Sequence, residues 1–286
     1  MKKQKIISAE NAADLGVFAL LAIYPLIITD RYFNLTLTKY IFFTVTSAFF
    51  FALCLIIKIY GIDNHCVIKK PELSNFSLTD IFITLFTLIA TISCFSSEHV
   101  IASISGGAGR RMGLIMIFSL FFAYMFISKF YRIKENDFML FGAVSIFMSF
   151  VALLQYNGVN VFSLQDGLSD WDKYRFLSFS GNINIFSSFI CIALSLSMYM
   201  FCFSEKKKNT VFWNVASFVT FIALLAAISD SAYLGLAAAM VALGIITAKE
   251  KKTFQRFMIL IITLFVSAGL FSLIWKLFGD PERPGS

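Results

Sequence analysis

Charged side chains are scarce in this chain. Asp, Glu, Lys and Arg make up 14% of its 286 residues, against roughly 25% in a soluble globule. With 58% hydrophobic residues and 35 Phe, that scarcity excludes a fold solvated by water on all sides. No CxxC or CxxxC pair occurs. Cys54, Cys94, Cys191 and Cys202 fall inside apolar runs and Cys66 sits in a loop, which implies neither a disulfide framework nor a metal site and leaves small apolar fillers. No small-residue cleavage site follows Met1-Lys2-Lys3-Gln4-Lys5, and Asp14 interrupts the apolar run behind it. The charged start therefore reads as the flank of an uncleaved first helix. No soluble basic domain and no aromatic-basic platform accompany the net charge of +7, so a nucleic-acid partner has no support.

What the chain does have is long apolar runs. A span needs about 20 apolar residues to cross hydrocarbon about 30 Å thick. Nine runs qualify: Ala12–Thr29, Tyr40–Tyr60, Ile81–Phe95, Met112–Tyr131, Phe138–Tyr156, Ile185–Phe203, Val211–Ile228, Ala232–Ala248 and Phe257–Phe278. The third is short and can continue to Val100 and beyond. The fold expected is an all-α polytopic helix bundle, one transmembrane domain over residues 1–286, with its longest loop at Asn157–Asn184.

Lysine and arginine alternate between loops. One set holds Lys2, Lys3 and Lys5; Lys58, Lys69 and Lys70; Lys129, Arg132 and Lys134; Lys206, Lys207 and Lys208; and Lys249, Lys251, Lys252 and Arg256. These are two-thirds of the 24 Lys and Arg. The other set holds Arg31, Lys39, Arg110, Arg111, Lys173, Arg175, Lys276 and Arg283. The positive-inside rule then predicts a cytoplasmic N-terminus and an external C-terminus. The basic excess is a topology signal, with anionic inner-leaflet lipid as its partner.

Within the less basic set lies Ser105-Gly106-Gly107-Ala108-Gly109-Arg110-Arg111-Met112-Gly113, a glycine-rich turn ending in two arginines at a helix start. Glycines let successive N–H groups converge, the helix N-terminus adds partial positive charge, and guanidinium forks match phosphate oxygens. The helix dipole opposes a cation at this end, so Arg110 and Arg111 sit unfavourably unless an anion compensates. Snorkelling to lipid headgroups is the plainer alternative. On the external face, nucleotides are poor candidates for that anion and an outward-flipped lipid-linked diphosphate fits better. Two more even-numbered spans open on polar turns of the same set: Arg175 to Asn184, containing Gly181, Asn182 and Asn184, and Ser229-Asp230-Ser231-Ala232. Ordinary helix capping accounts for these residues as readily as function does, and Asp230 suits an N-cap. Asp14 is an intramembrane carboxylate near the cytoplasmic end. His65 falls in a cytoplasmic loop and His99 near the arginine turn.

Three segments together resemble the O-antigen ligase and O-antigen polymerase-like family of polytopic membrane glycan ligases. Phe95-Ser96-Ser97-Glu98 through Gly106, Arg111 and Gly113 is similar to its serine, glycine and R-x-G signature. Ser180-Gly181-Asn182-Ile183-Asn184 resembles its T/S-x-G-N-x-N turn, and Ser229 to Gly235 its S-x-S-x-x-x-G segment. The resemblance implies transfer of a glycan from an undecaprenyl-diphosphate donor to a surface acceptor at the external face of the plasma membrane, without metal, nucleotide or other cofactor. It implies that Arg110, Arg111 and Arg175, with Gly106, Gly107 and Gly109, hold the donor diphosphate, and that Asn182, Asn184, Asp230 and Ser231 form the neighbouring helix-start turns. Many relatives carry arginine where this chain has Asp230-Ser231. The family also carries a large external loop with an arginine and a catalytic histidine, followed by further spans, and Gly285-Ser286 resembles its opening. The expectation is a chain truncated before that loop and inactive alone, with no catalytic residue assigned. Ligase and glycan polymerase differ only in acceptor and stay open. A transporter or flippase for an anionic lipid-linked substrate is a further alternative, although no internal repeat and few mid-span charges support it.

Overall fold

The computed structural model describes residues 8–60, 77–107 and 109–278. The N-terminal lysines, His65, Cys66, Lys69, Lys70, Ala108, Arg283 and Gly285-Ser286 lie outside the described residues. The architecture is all-α and polytopic. Among the described residues, eight helices are long and apolar enough to cross a membrane, and a ninth, Leu114–Phe130, is shorter at 17 residues. The chain falls into two compact units, residues 1–29 with 34–137 and residues 30–33 with 138–286.

The first unit contains α1 (Ala9–Leu26), α2 (Leu35–Ile59), α3 (Leu78–Phe95), α4 (Val100–Ser105) and α5 (Leu114–Phe130). Lipid tails are as apolar as leucine, so membrane helices associate through close packing of small residues rather than through water exclusion. Ala9, Ala12, Ala13 and Gly16 form such a stripe on α1. A Cβ at Gly16 would come within 2.8 Å of the Phe50 ring, so α2 approaches here because glycine leaves room. Further along, α1 widens into a π turn at Ala19–Ile23, with the Tyr24 N–H reaching the Ala19 carbonyl. Pro25 follows. Its ring and missing N–H oppose a regular α-helix, and a π turn accommodates both. The helix then stops at Leu26, three residues before the span limit expected from hydropathy. Lys39, in the first turns of α2, donates to the carbonyls of Tyr24 (3.0 Å) and Pro25 (2.8 Å) and so satisfies acceptors orphaned at that end.

Helix α3 starts with a capping box, Ser77 accepting from the Asp80 amide and the Asp80 carboxylate accepting from the Ser77 amide. It ends at Phe95. The run to Ser105 is a separate short helix, stopped by Gly106 in the left-handed conformation (φ 79°). Asp80 is buried. Lys129 and Tyr124 of α5 both donate to its carboxylate, Tyr124 at 2.7 Å, so a polar tie joins α3 to α5. Asp14, the carboxylate that interrupts the first apolar run, is paired with Lys134, whose ammonium it holds above its ordinary pKa. Within this unit Lys58, Lys129, Arg132 and Lys134 gather at one end: Lys58 stacks on Phe130 and Arg132 lies 3.8 Å from Glu10.

The second unit contains α6 (Glu135–Tyr156, entered from the first unit), α7 (Asp170–Lys173), a two-stranded hairpin of β1 (Phe176–Leu177) and β2 (Gly181–Asn182), then α8 (Ile183–Phe203), α9 (Lys207–Ala226), α10 (Asp230–Thr247) and α11 (Lys251–Phe278). α8 packs against α9, α10 and α11. Phe186, Ile190, Leu194 and Met198 recur every four residues on it and are fully buried with Trp213 and Leu260. The buried hydroxyls of Ser197, Ser217 and Thr220 donate to carbonyls four residues earlier, the way a polar group avoids an unmet bond in hydrocarbon. Residues 157–184, expected as a long loop, are folded into turns, α7 and the hairpin.

Candidate functional site

The glycine-arginine turn is built on contact between its two ends. Gly106 closes α4 and Gly113 is the N-cap of α5. A Cβ on Gly106 would lie 2.1 Å from the Gly113 nitrogen, and one on Gly113 2.4 Å from the Gly106 nitrogen. Only residues without side chains allow this crossing, which leaves residues 107 to 112 as a closed excursion. Gly107 also has positive φ, with open space around it. Glycine at the N-cap means that no side chain caps α5, so N–H groups of its first turn remain available.

Arg110 is exposed and makes no ion pair among the described residues. Arg111 is half-buried, with φ of 50°, and its guanidinium sits 5.8 Å from the Tyr40 ring centroid, a cation–π contact that orients the side chain without neutralising it. Among the described residues, those with positive φ, namely Arg31, Arg111, Phe162, Ser163, Ser178 and Ile228 and glycines 106, 107, 158, 167 and 181, lie in loops of the less basic set. Non-glycine residues in this region carry strain of about 1–3 kcal/mol each and cluster at functional segments.

Arg175 belongs to the second unit. It is exposed, stacked 4.9 Å from the Trp171 ring centroid. Its carbonyl accepts from Ile183, tying the hairpin to the start of α8. Asn182 is the N-cap of α8, its side chain accepting from the Asn184 amide at 2.8 Å. The Asn184 carbonyl accepts from Ser187 and Ser188. Asn182 thus caps α8 through its side chain, and Asn184 takes part through its backbone. At α10 the N-cap is Ser229, and Asp230 stands one position inside, in the first turn, where its charge still complements the dipole. Ser231 exchanges a 3.2 Å hydroxyl contact with Ser229.

Three other cations of this set are spent within the protein. Arg31 pairs with Asp166 at 3.3 Å, Lys173 with Asp170 at 2.8 Å, and Lys39 caps α1. Asp170 holds the Lys173 ammonium above its ordinary pKa, and Lys173 holds the Asp170 carboxyl below its own. Arg110, Arg111 and Arg175 meet no carboxylate among the described residues. His99 is the N-cap of α4 and exposed. Among the described residues no three His, Cys, Asp or Glu side chains gather where a metal ion would sit.

A polar knot absent from the sequence reading lies beneath the hairpin. The Tyr32 hydroxyl donates to the Ser178 carbonyl (2.6 Å) and accepts from the Gln155 amide nitrogen (3.1 Å), while Gln155 Oε1 accepts from the Ser178 amide (2.6 Å). All three residues are buried. Burial raises the Tyr32 phenol above its ordinary pKa, with the Gln155 bond opposing in part. Their separation in sequence left no local signal.

Comparison with protein-family models, with curated proteins and with solved structures finds no match to this chain. The functional reading therefore stands on these residues and on the motif resemblance.

Proposed function

We propose that this chain is a membrane glycan transferase of the O-antigen-ligase type, moving a polysaccharide from an undecaprenyl-diphosphate donor to a surface acceptor at the external face of the plasma membrane. One observation carries the reading. The three arginines that the motif resemblance assigns to the donor diphosphate, Arg110, Arg111 and Arg175, are loop cations that meet no carboxylate among the described residues, whereas Arg31 and Lys173 beside them in sequence order do. Arg110 and Arg111 also precede an uncapped helix N-terminus, so guanidinium and backbone donors converge on one chemistry, that of a phosphate group.

In the reaction the bond between the sugar's anomeric carbon and the diphosphate oxygen breaks as an acceptor hydroxyl attacks. Negative charge grows on the leaving diphosphate, and preorganised cations that meet it lower the barrier. Arg111, oriented on Tyr40, and Arg110 supply that role. No residue of this chain is assigned to remove the acceptor proton.

The test is binding of undecaprenyl diphosphate to the purified chain in nanodiscs, read by native mass spectrometry. Arg111→Ala should weaken binding about tenfold or more, the scale of one lost charge-assisted contact, with membrane insertion and elution profile unchanged. Equal affinity in the variant would sink the diphosphate assignment.

A further inference from the structure

Beside the glycine-arginine turn, a cavity of about 310 Å³ opens between α3, α4 and the start of α5. Its walls differ. Ala90, Leu114 and Ile117 give an apolar face, while Ser93, Ser97 and Ser103 bring three hydroxyls. Met112 and Gly113, next in sequence to Arg111, form its edge.

The hydroxyls along α3 and those at the cavity differ. Thr84, Thr87 and Thr91 each donate to the carbonyl four residues earlier, and their hydrogen-bonding needs end on their own helix. The serines at the cavity do otherwise. Ser93 makes no hydrogen bond among the described residues, and Ser97, in the turn after α3, accepts from the His99 amide at 3.2 Å and from the Ser103 hydroxyl at 3.0 Å, which leaves the Ser93 hydroxyl, the Ser97 proton and the Ser103 oxygen with bonding capacity. A purely apolar occupant would leave that capacity unused. A polyol would use it and pack its C–H face on Ala90, Leu114 and Ile117. The volume sits at the lower end of small-molecule pockets, about 300–1,000 Å³, enough for one ring or a short polyol and too small for a string of sugars.

We propose that this cavity is a polyol subsite, receiving the hydroxylated group esterified to the phosphate that Arg110 and Arg111 hold. The assignment rests on the phosphate reading of those arginines. The shared chemistry has two sources, a sugar on a polyprenyl diphosphate or the glycerol headgroup of phosphatidylglycerol.

The experiment titrates the full chain in nanodiscs with two matched pairs: polyprenyl diphosphate with and without one sugar, and phosphatidylglycerol against phosphatidic acid. Wild type should prefer the hydroxyl-bearing member of at least one pair by about tenfold, as expected for two or three added neutral hydrogen bonds. Preference in the first pair alone identifies the sugar, and in the second pair alone the headgroup. The double variant Ser93→Ala, Ser97→Ala should erase the preference and keep the affinity for sugar-free polyprenyl diphosphate. Ser93→Phe, which fills the space, should erase it too. No preference in wild type, or one unchanged in both variants, overturns the subsite. Arg111→Ala keeps the two readings apart. If it binds all four probes as wild type does while the serine variants still erase the preference, the phosphate reading falls and the polyol subsite stands.

Discussion

Gly106 and Gly113 lie so close that a side-chain carbon on either would fall within 2.4 Å of the other's backbone nitrogen. That contact turns six intervening residues into a closed turn and gives the arginine pair its setting at the head of α5. Gly106→Ala and Gly113→Ala should each disrupt the turn, and Gly106→Ala adds about 1–3 kcal/mol of backbone strain to the overlap. Gly107→Ala, with positive φ but nothing within 4 Å, should cost only about 1–2 kcal/mol. Thermal unfolding in detergent gives the order; a Gly107 variant as damaging as Gly113→Ala would contradict the close-approach account.

Orientation is tested by labelling intact cells with a membrane-impermeant maleimide in a Cys66→Ser background. Cys54, Cys94 and Cys202 are buried and Cys191 half-buried, so background reaction should be low. Arg110→Cys should label from outside, and Lys249→Cys only after permeabilisation. The reverse pattern would put the arginine turn in the cytoplasm and remove the lipid-diphosphate donor as its ligand.

The Asp80–Lys129 pair makes a third case. Breaking one partner strands the other's charge, whereas replacing both by apolar groups removes the need for either. Asp80→Asn and Lys129→Met should each lower the melting temperature by several degrees, and Asp80→Leu with Lys129→Met should recover much of the loss. A double variant as unstable as the sum of the singles would mean that the pair does not act as a unit.

Tyr32→Phe removes the donor to the Ser178 carbonyl and the acceptor for Gln155, at a cost of about 1–3 kcal/mol for buried groups left unsatisfied. The pH dependence has a definite sign. The ordinary phenol value is 10.0 and burial raises it in the fold. Below pH 10.0 the phenol is protonated in folded and unfolded chains, and its contribution is complete. Above it the unfolded chain ionises first, so stability falls as pH rises toward the folded value. Tyr32→Phe should abolish that part of the alkaline loss; identical alkaline profiles would refute the role given to burial.

The apolar helices were legible in the sequence, eight of the nine expected spans being long enough to cross a membrane among the described residues, because crossing hydrocarbon imposes a length and a polarity that few other constraints resemble. Where the ends differ, a local cause is visible. Pro25 stops α1 before Thr29, and Gly106 confines Val100–Ser105 to a separate helix. Asn182 was readable as a cap, since capping depends on neighbours two or three residues away, whereas the N-cap expected at Asp230 falls one residue earlier, on Ser229. Asp80 escaped notice because the apolar run begins at Ile81, and nothing near it in sequence announces Tyr124 or Lys129.

The same divide runs through the candidate site. Glycine spacing and an arginine pair at a helix start mark a turn able to hold an anion, because those properties belong to the backbone and to adjacent residues. Which cations stay uncompensated is a matter of long-range pairing. Arg31 and Asp166 are 135 positions apart, and no pattern in the chain distinguishes Arg31 from Arg111 until folding brings a carboxylate to one and leaves the other on a tyrosine ring. The serine-lined cavity is likewise a product of packing, since hydroxyls on two helices become one wall only when α3, α4 and α5 meet.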